Sequence, residues 1–203
     1  MIHTFGDSHS KSTWNTDYTY CHYLGPLLCY SFGKENLKRC DIRNYSVNDG
    51  DTIVFCLGEI DCRCHIAKHV SKILSYEEII NPIVNNYLAA IKIVVDVSGL
   101  KLKNVCVFNV VPPVRKSNTE EDVTYPFVGT DEERLSYVRY FNKKLKEKCA
   151  ENKFVFIDVF DKYADKDGFL IKILSDDRVH ILDYKYVEEF IYENKLIDMK
   201  NSN

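Results

Sequence analysis

The 203-residue chain has no proline- or glycine-rich stretch, no internal repeat and no low-complexity segment; glycine numbers 8 and proline 5. Without a linker candidate, one domain over residues 1–203 is expected, long enough to bury a sizeable core. No apolar run approaches the roughly 20 residues of a membrane helix, so no membrane span is expected. Nor is charge of one sign in excess. A net charge of −3 gives no electrostatic basis for holding nucleic acid or an anionic membrane. Met1-Ile2-His3-Thr4-Phe5 contains neither a basic segment nor a long apolar one. A secretory leader is therefore not expected, and a cytoplasmic or other reducing compartment is. Cysteine, by contrast, is plentiful at 8 residues. In such a compartment these read as small buried side chains, as at Cys56 and Cys106 within apolar runs; export would reopen the question of disulfides.

What is present is an alternation of strand and helix patterns. Short apolar runs at Ile2–Phe5, Thr52–Leu57, Asn104–Val111 and Lys153–Val159 suit strands buried on both faces of a parallel sheet. A weaker strand is expected near Asp41–Tyr45. Apolar residues from Ile79 to Val95 recur at helical spacing, which predicts a helix over 76–98 ended by Gly99. Thr130 and Glu133 form a capping-box pattern at the head of a second helix, to about Ala150. Further helices are expected over Tyr184–Asn194 and, broken near Gly25-Pro26, over Tyr18–Phe32. Strands alternating with helices imply a three-layer α/β/α sandwich with a parallel sheet of about five strands. In such sheets the loops after the strands form the site.

Those loops carry the chemistry. Ser8 stands in Phe5-Gly6-Asp7-Ser8-His9-Ser10, directly after the first strand. Far downstream, Asp176-Asp177-Arg178-Val179-His180 supplies a histidine with a carboxylate three or four residues before it. Either aspartate shares a helical face with His180, and spacing alone does not separate them. A serine hydroxyl attacks a carbonyl only when a base takes its proton, and the base works best when a third group fixes its tautomer. The competing reading is a capping turn at one end and a solvated acidic turn at the other. Gly58-Glu59-Ile60-Asp61-Cys62-Arg63-Cys64-His65 follows a buried strand. Gly58 lets backbone approach an anion and Arg63 offers fixed donors, or Glu59, Asp61 and Arg63 form a buried ion-pair network. Cys62, Cys64, His65 and His69 are candidate metal ligands, but their spacing matches no Cys-x-x-Cys zinc knuckle and no second cysteine pair of suitable spacing is present, so no metal is expected. A backbone N–H at Gly25 is placed to face the site or merely marks a kink. The loop Val114–Gly129, with Arg115, Lys116, Tyr125 and Phe127, suits sugar contacts, as do Trp14, Tyr18 and Tyr20; the bland alternative is an exposed mobile loop.

Gly6-Asp7-Ser8, the glycine at Gly25, Gly58-x-x-Asp61 and Asp177-x-x-His180 resemble the ordered blocks of the SGNH/GDSL hydrolase superfamily, over about residues 3–185. The resemblance implies a flavodoxin-like α/β fold with Ser8 as nucleophile, His180 as general base and Asp177 orienting it. It also implies an oxyanion hole that includes the N–H groups of Ser8 and Gly25, and no metal or organic cofactor. The run Gly58–His65 is similar to a subgroup that accompanies glycan-related genes. One departure stands out: the third block is usually Gly-x-Asn-Asp, and Ile60 occupies the place of its Asn. Isoleucine cannot donate a hydrogen bond. Arg63, or else His65, is then expected to substitute. The expected activity is hydrolysis of an acyl ester, foremost an acetyl ester on a carbohydrate, through an acyl-serine. The expected partner is a small-molecule or glycan ester and not nucleic acid. Alternatives are a glycan acyltransferase using the same residues, a weak or inactive glycan-binding protein of the same fold, and a metal-binding regulator built on Cys62–His69.

Overall fold

The computed structural model describes residues 1–14 and 16–197, so the expected domain limit at residue 203 lies outside the described residues. In chain order the elements are β1 (Ile2–Gly6), α1 (His9–Ser12), β2 (Thr19–Tyr23), α2 (Cys29–Glu35), β3 (Thr52–Cys56), α3 (Ile66–His69), α4 (Tyr76–Ser98), β4 (Asn104–Phe108), α5 (Asp131–Asn152), β5 (Val155–Ile157), α6 (Phe160–Tyr163) and α7 (Lys185–Glu193). A π-helical turn, Asp61–His65, leads into α3. The five strands form one sheet in the order β2-β1-β3-β4-β5, every neighbouring pair parallel.

Strand residues alternate between two cores. Phe5, Ile53, Phe55 and Val107 pack with side chains of α2, α4 and α5 on one face. Val54, Cys56, Cys106 and Phe108 pack with Trp14 and with Val187 and Ile191 of α7 on the other. Both faces are covered, as near-continuous apolar strands require, and the three-layer α/β/α sandwich stands as expected. All eight cysteines are free thiols, and only Cys21 is exposed.

The two long helices start where their side chains satisfy the exposed N–H groups of the first turn. Ser75 and Glu78 form a reciprocal capping box on α4, and Thr130 and Glu133 form one on α5. Gly99 closes α4 in the left-handed conformation. By length and composition alone α4 is apolar enough to cross a membrane; here Ile80, Val84, Tyr87, Ile91 and Val94 bury one of its faces in the core, as in a core helix of a globular domain.

Two local expectations are corrected. The stretch expected as a broken helix over Tyr18–Phe32 is β2 followed by α2. Thr19-Tyr20-Cys21-His22-Tyr23 is rich in residues that fit a half-buried pleat, and it fills the edge position beside β1, with Tyr20 and Tyr23 exposed. Asp41–Tyr45 is not a strand. Asp41 instead caps a single 3₁₀ turn, Ile42–Asn44, by accepting from the Arg43 N–H.

The carboxyl ends of β1 and β3 meet backbone to backbone. A Cβ built on Gly6 would lie 2.0 Å from the Cys56 carbonyl oxygen. Close approach, rather than an unusual φ, makes glycine obligatory here. Gly6→Ala is expected to lower the unfolding free energy by about 3 kcal/mol, within the range of severe packing substitutions. Urea denaturation should show this as a lower midpoint at unchanged slope. A midpoint equal to that of the wild type would mean the two strands separate easily.

Candidate active site

Ser8 follows β1 directly and occupies the residue before α1. Its side chain makes no capping bond to that helix. The hydroxyl is turned instead toward His180, with Ser8 Oγ 2.7 Å from His180 Nε2. His180 Nδ1 lies 2.6 Å from Asp176 Oδ2. Residues 172 positions apart thus form a continuous Ser–His–Asp relay.

The carboxylate is Asp176 and not Asp177, a correction with a clear cause. The segment is not helical, so i,i+3 spacing confers no shared face. It is a tight loop in which Asp176 N–H donates to the His180 carbonyl, while the N–H groups of Arg178 and His180 donate to Asp176 Oδ1. Asp177 sits at the apex with φ +60°. Its side chain is 76% exposed, nearest to Lys172. An antiparallel bridge between Ser175 and Ile181 and a hydrogen bond from Thr13 Oγ1 to the Ile181 carbonyl pin the loop against α1.

The charges are sorted. Burial lowers the His180 pKa, the neighbouring His9 lowers it further, and Asp176 opposes both without reversing the result. Burial pushes Asp176 up, but its bonds from the His180 ring and backbone hold it below the usual carboxylate range. At neutral pH His180 is therefore neutral, with Nδ1–H donating to ionised Asp176 and Nε2 free to accept from Ser8.

His9, which sequence reading quoted beside Ser8 without a role, is buried against this relay. Its ring centroid is 4.8 Å from that of His180. Nδ1 lies 2.9 Å from Asp7 Oδ1 and Nε2 3.2 Å from the Val179 carbonyl. Burial disfavours its charge, yet Asp7 and then Glu59 outweigh burial and raise its pKa to about 9.

Ser8 and His180 open on a cavity of about 340 Å³ whose walls include Tyr23, Pro26, Ile60, Arg63, Tyr125, Phe127 and Arg178. Ile60 presents an apolar surface where the related block carries an amide. Arg63 lines the cavity as expected, but its fork is engaged. Nε and Nη2 donate to the two Glu59 oxygens at 2.6 and 3.0 Å, and Nη1 donates to the Tyr125 carbonyl. It braces the wall and the overlying loop. Asp61 stands apart from this ion pair. Its carboxylate accepts from the Cys29 and Tyr30 N–H groups at the head of α2.

His65 is not at the site. The π-helical turn carries it to a separate cavity, shared with His69, Glu78 and Pro82. Gly58 does not face the relay either: at φ +119°, a Cβ there would press on Val110 and Phe141 of the core. Gly25, at φ +87°, joins Tyr23 to Pro26, both in the cavity wall. Among the described residues neither the Ser8 N–H nor the Gly25 N–H meets an acceptor. No group of three or more metal-ligating side chains occurs among the described residues. Of the expected sugar-contacting aromatics, Trp14 is buried in the core and Tyr18 bonds Glu188, whereas Tyr125 and Phe127 do line the cavity. The loop that carries them is fastened. Arg134 donates to the carbonyls of Val114 and Gly129, and Thr119 Oγ1 donates to the Asp177 carbonyl.

No protein-family model matches the sequence, and no curated protein matches it. Solved structures do match. A protein from Streptococcus pneumonia, provisionally named a platelet activating factor, aligns with TM-score 0.68 at 18% identity, over 97% of this chain and 83% of that one. A GDSL-like lipase from Bacteroides thetaiotaomicron aligns with TM-score 0.62 at 13% identity, over 95% and 86%. A catalytic mutant of an acetylxylan esterase from Geobacillus stearothermophilus aligns with TM-score 0.54 at 12% identity, over 100% and 96%. The chain has the fold of the GDSL hydrolases. At these identities the likeness concerns the fold, and the chemistry rests on the residues above.

The buried helix cap yields a prediction. Burial raises the Asp61 pKa to about 7, against backbone bonds that lower it. Folded protein then keeps a proton that the unfolded chain releases above about pH 4, so this group's contribution to stability declines from about pH 4 to about pH 7. Asp61→Asn retains an acceptor and removes the titration. In urea titrations at a series of pH values, stability of the wild type minus that of Asp61→Asn should fall over that window and level off above it. A flat difference would mean that Asp61 is ionised throughout.

Proposed function

We propose that this protein is a serine esterase that hydrolyses small acyl esters, foremost acetyl esters on a carbohydrate, through an acyl-enzyme on Ser8. The observation that carries this reading is the Ser8–His180–Asp176 relay at a solvent-reached cavity. In the first half-reaction Ser8 Oγ attacks the carbonyl carbon and its proton passes to His180 Nε2. Asp176 stabilises the resulting imidazolium. His180 then returns the proton to the departing alkoxide, leaving acyl-Ser8 and the alcohol. In the second half, water attacks the acyl carbon with His180 again as base, giving the acid and free Ser8. The N–H groups of Ser8 and Gly25 are the proposed oxyanion donors, both being without acceptors among the described residues.

Tyr23, Tyr125 and Phe127 offer apolar ring faces, and Arg178 and Glu120 offer polar partners, around the same opening. That mixture suits a sugar ring with its hydroxyls, and the similarity to an acetylxylan esterase points the same way. Ile60 favours a second reading, in which the fold binds a glycan and turns over slowly or not at all. Loss of one oxyanion donor costs about a hundredfold to a thousandfold in rate.

A fluorophosphonate separates the two readings. Intact mass should show one adduct on the wild type and none on Ser8→Ala or His180→Ala; a folded wild type that takes no adduct would favour binding. On a 4-nitrophenyl acetate assay, Asp176→Asn should lower kcat by about 10³- to 10⁴-fold, and Asp177→Asn should leave it nearly unchanged. Equal losses in both variants would mean the loop rearranges in solution. Since the His180 pKa lies below 6.5, kcat/KM should rise with pH to a plateau reached by neutrality. Ile60→Asn should raise kcat by about tenfold or more if a side-chain donor is what the site lacks.

A further inference from the structure

The reading of Ser8 and His180 as nucleophile and base leaves His9 unexplained. A histidine is buried beside the relay, with its ring against the ring of the base. Its two nitrogens face acceptors only: the Asp7 carboxylate on one side and the Val179 carbonyl on the other. A neutral imidazole has one N–H and one lone pair, so one of these contacts would set a lone pair against an oxygen. Only the doubly protonated ring donates to both. His180 has the opposite surroundings, an acceptor at Nδ1 and at Nε2 a hydroxyl that can donate. The hydrogen-bond pattern thus assigns charge to one ring and neutrality to the other.

We propose that His9 is a positioning residue for His180: a buried imidazolium that ties the Ser8 turn to the His180 loop and keeps the adjacent ring in its proton-accepting form. The tie is the bond to Val179, the residue before His180 and 170 positions from His9. The charge acts across the ring contact, where two cations side by side are disfavoured. Three elements surround the pair. The end of β1 supplies Asp7 against His9. The turn after β3 supplies Glu59, whose charge acts on both rings and is itself held by Arg63. The C-terminal loop supplies Asp176 behind His180. Asp7 favours protonation of His9, and His9 disfavours it at His180. Asp176 and Glu59 pull His180 the other way without prevailing.

The test is ¹⁵N detection of the histidine rings across a pH series, in the wild type and in His9→Gln. The glutamine amide still reaches the Val179 carbonyl but carries no charge. In the wild type one ring should stay doubly protonated through neutral pH while the His180 ring titrates below 6.5. In His9→Gln the His180 midpoint should rise by about one pH unit, and the acid limb of kcat/KM should move with it. If Asp7 left alone unfolds that variant, Asp7→Asn combined with His9→Gln removes the stranded carboxylate and should give the same displacement. An unmoved His180 midpoint in a folded variant would overturn the proposal, as would a neutral His9 ring in the wild type at pH 7. Failure of the esterase reading is visible separately, as a wild type that takes no fluorophosphonate while its rings titrate as described.

Discussion

The hydrogen bond between Ser8 and His180 joins the two ends of the described chain, and the rest of the molecule serves to make that contact possible. One partner rides on β1, near the middle of the sheet and locked to β3 by a backbone contact too close for any side chain. The other rides on an irregular loop with no strand of its own. The loop is held by accumulation: a one-residue bridge to Ser175, the Thr13 bond to Ile181, the His9 bond to Val179 and the Thr119 bond to Asp177. None is strong singly, since a net hydrogen bond contributes only about 1 kcal/mol. Together they hold an imidazole in place without the support of a sheet.

A second constraint is electrostatic. Asp7, His9, His180, Glu59, Arg63 and Asp176 crowd into a largely buried volume, where an uncompensated charge is costly. Each acid there has a base: Asp7 has His9, Glu59 has Arg63, and Asp176 has His180. Glu59 and Arg63 are both charged, and in the proposed state His9 carries a proton against Asp7. The third is left incomplete, with a neutral imidazole against a carboxylate, and that vacancy for one proton is what the proposed nucleophile would use.

The sheet was legible because its apolar runs at β1, β3 and β4, in the interior of the sheet, are buried on both faces, and the run at β5 extends them at the edge. The edge strand β2 was not legible. Half-exposed and followed closely by Gly25-Pro26, it shares polar and aromatic residues with surface helices, and only pairing with β1 decides its conformation. At the site, Ser8 and His180 could be read because each stands in a short distinctive segment, Gly6-Asp7-Ser8 and Asp177-x-x-His180. The choice between Asp176 and Asp177 could not be made, since it turns on a left-handed residue that no spacing rule anticipates. Arg63 was placed in the right wall but in the wrong role: one turn upstream, Glu59 at i−4 captures its fork. His65 was lost to the π-helical turn, whose extra residue rotates everything after it away from the cavity.

The sheet order carries a consequence for the sequence in which the relay is assembled during synthesis. β1 and β2 precede β3 in the chain and β1 pairs with both β2 and β3, so the scaffold beneath Ser8 is assembled from residues 2–56. The imidazole arrives only when residues beyond 180 have left the ribosome, and the threonine anchor needs Ile181 as well. Until then the Ser8 hydroxyl has no imidazole beside it. A nascent chain that stops short of His180 presents the Ser8 turn without the histidine that completes the relay.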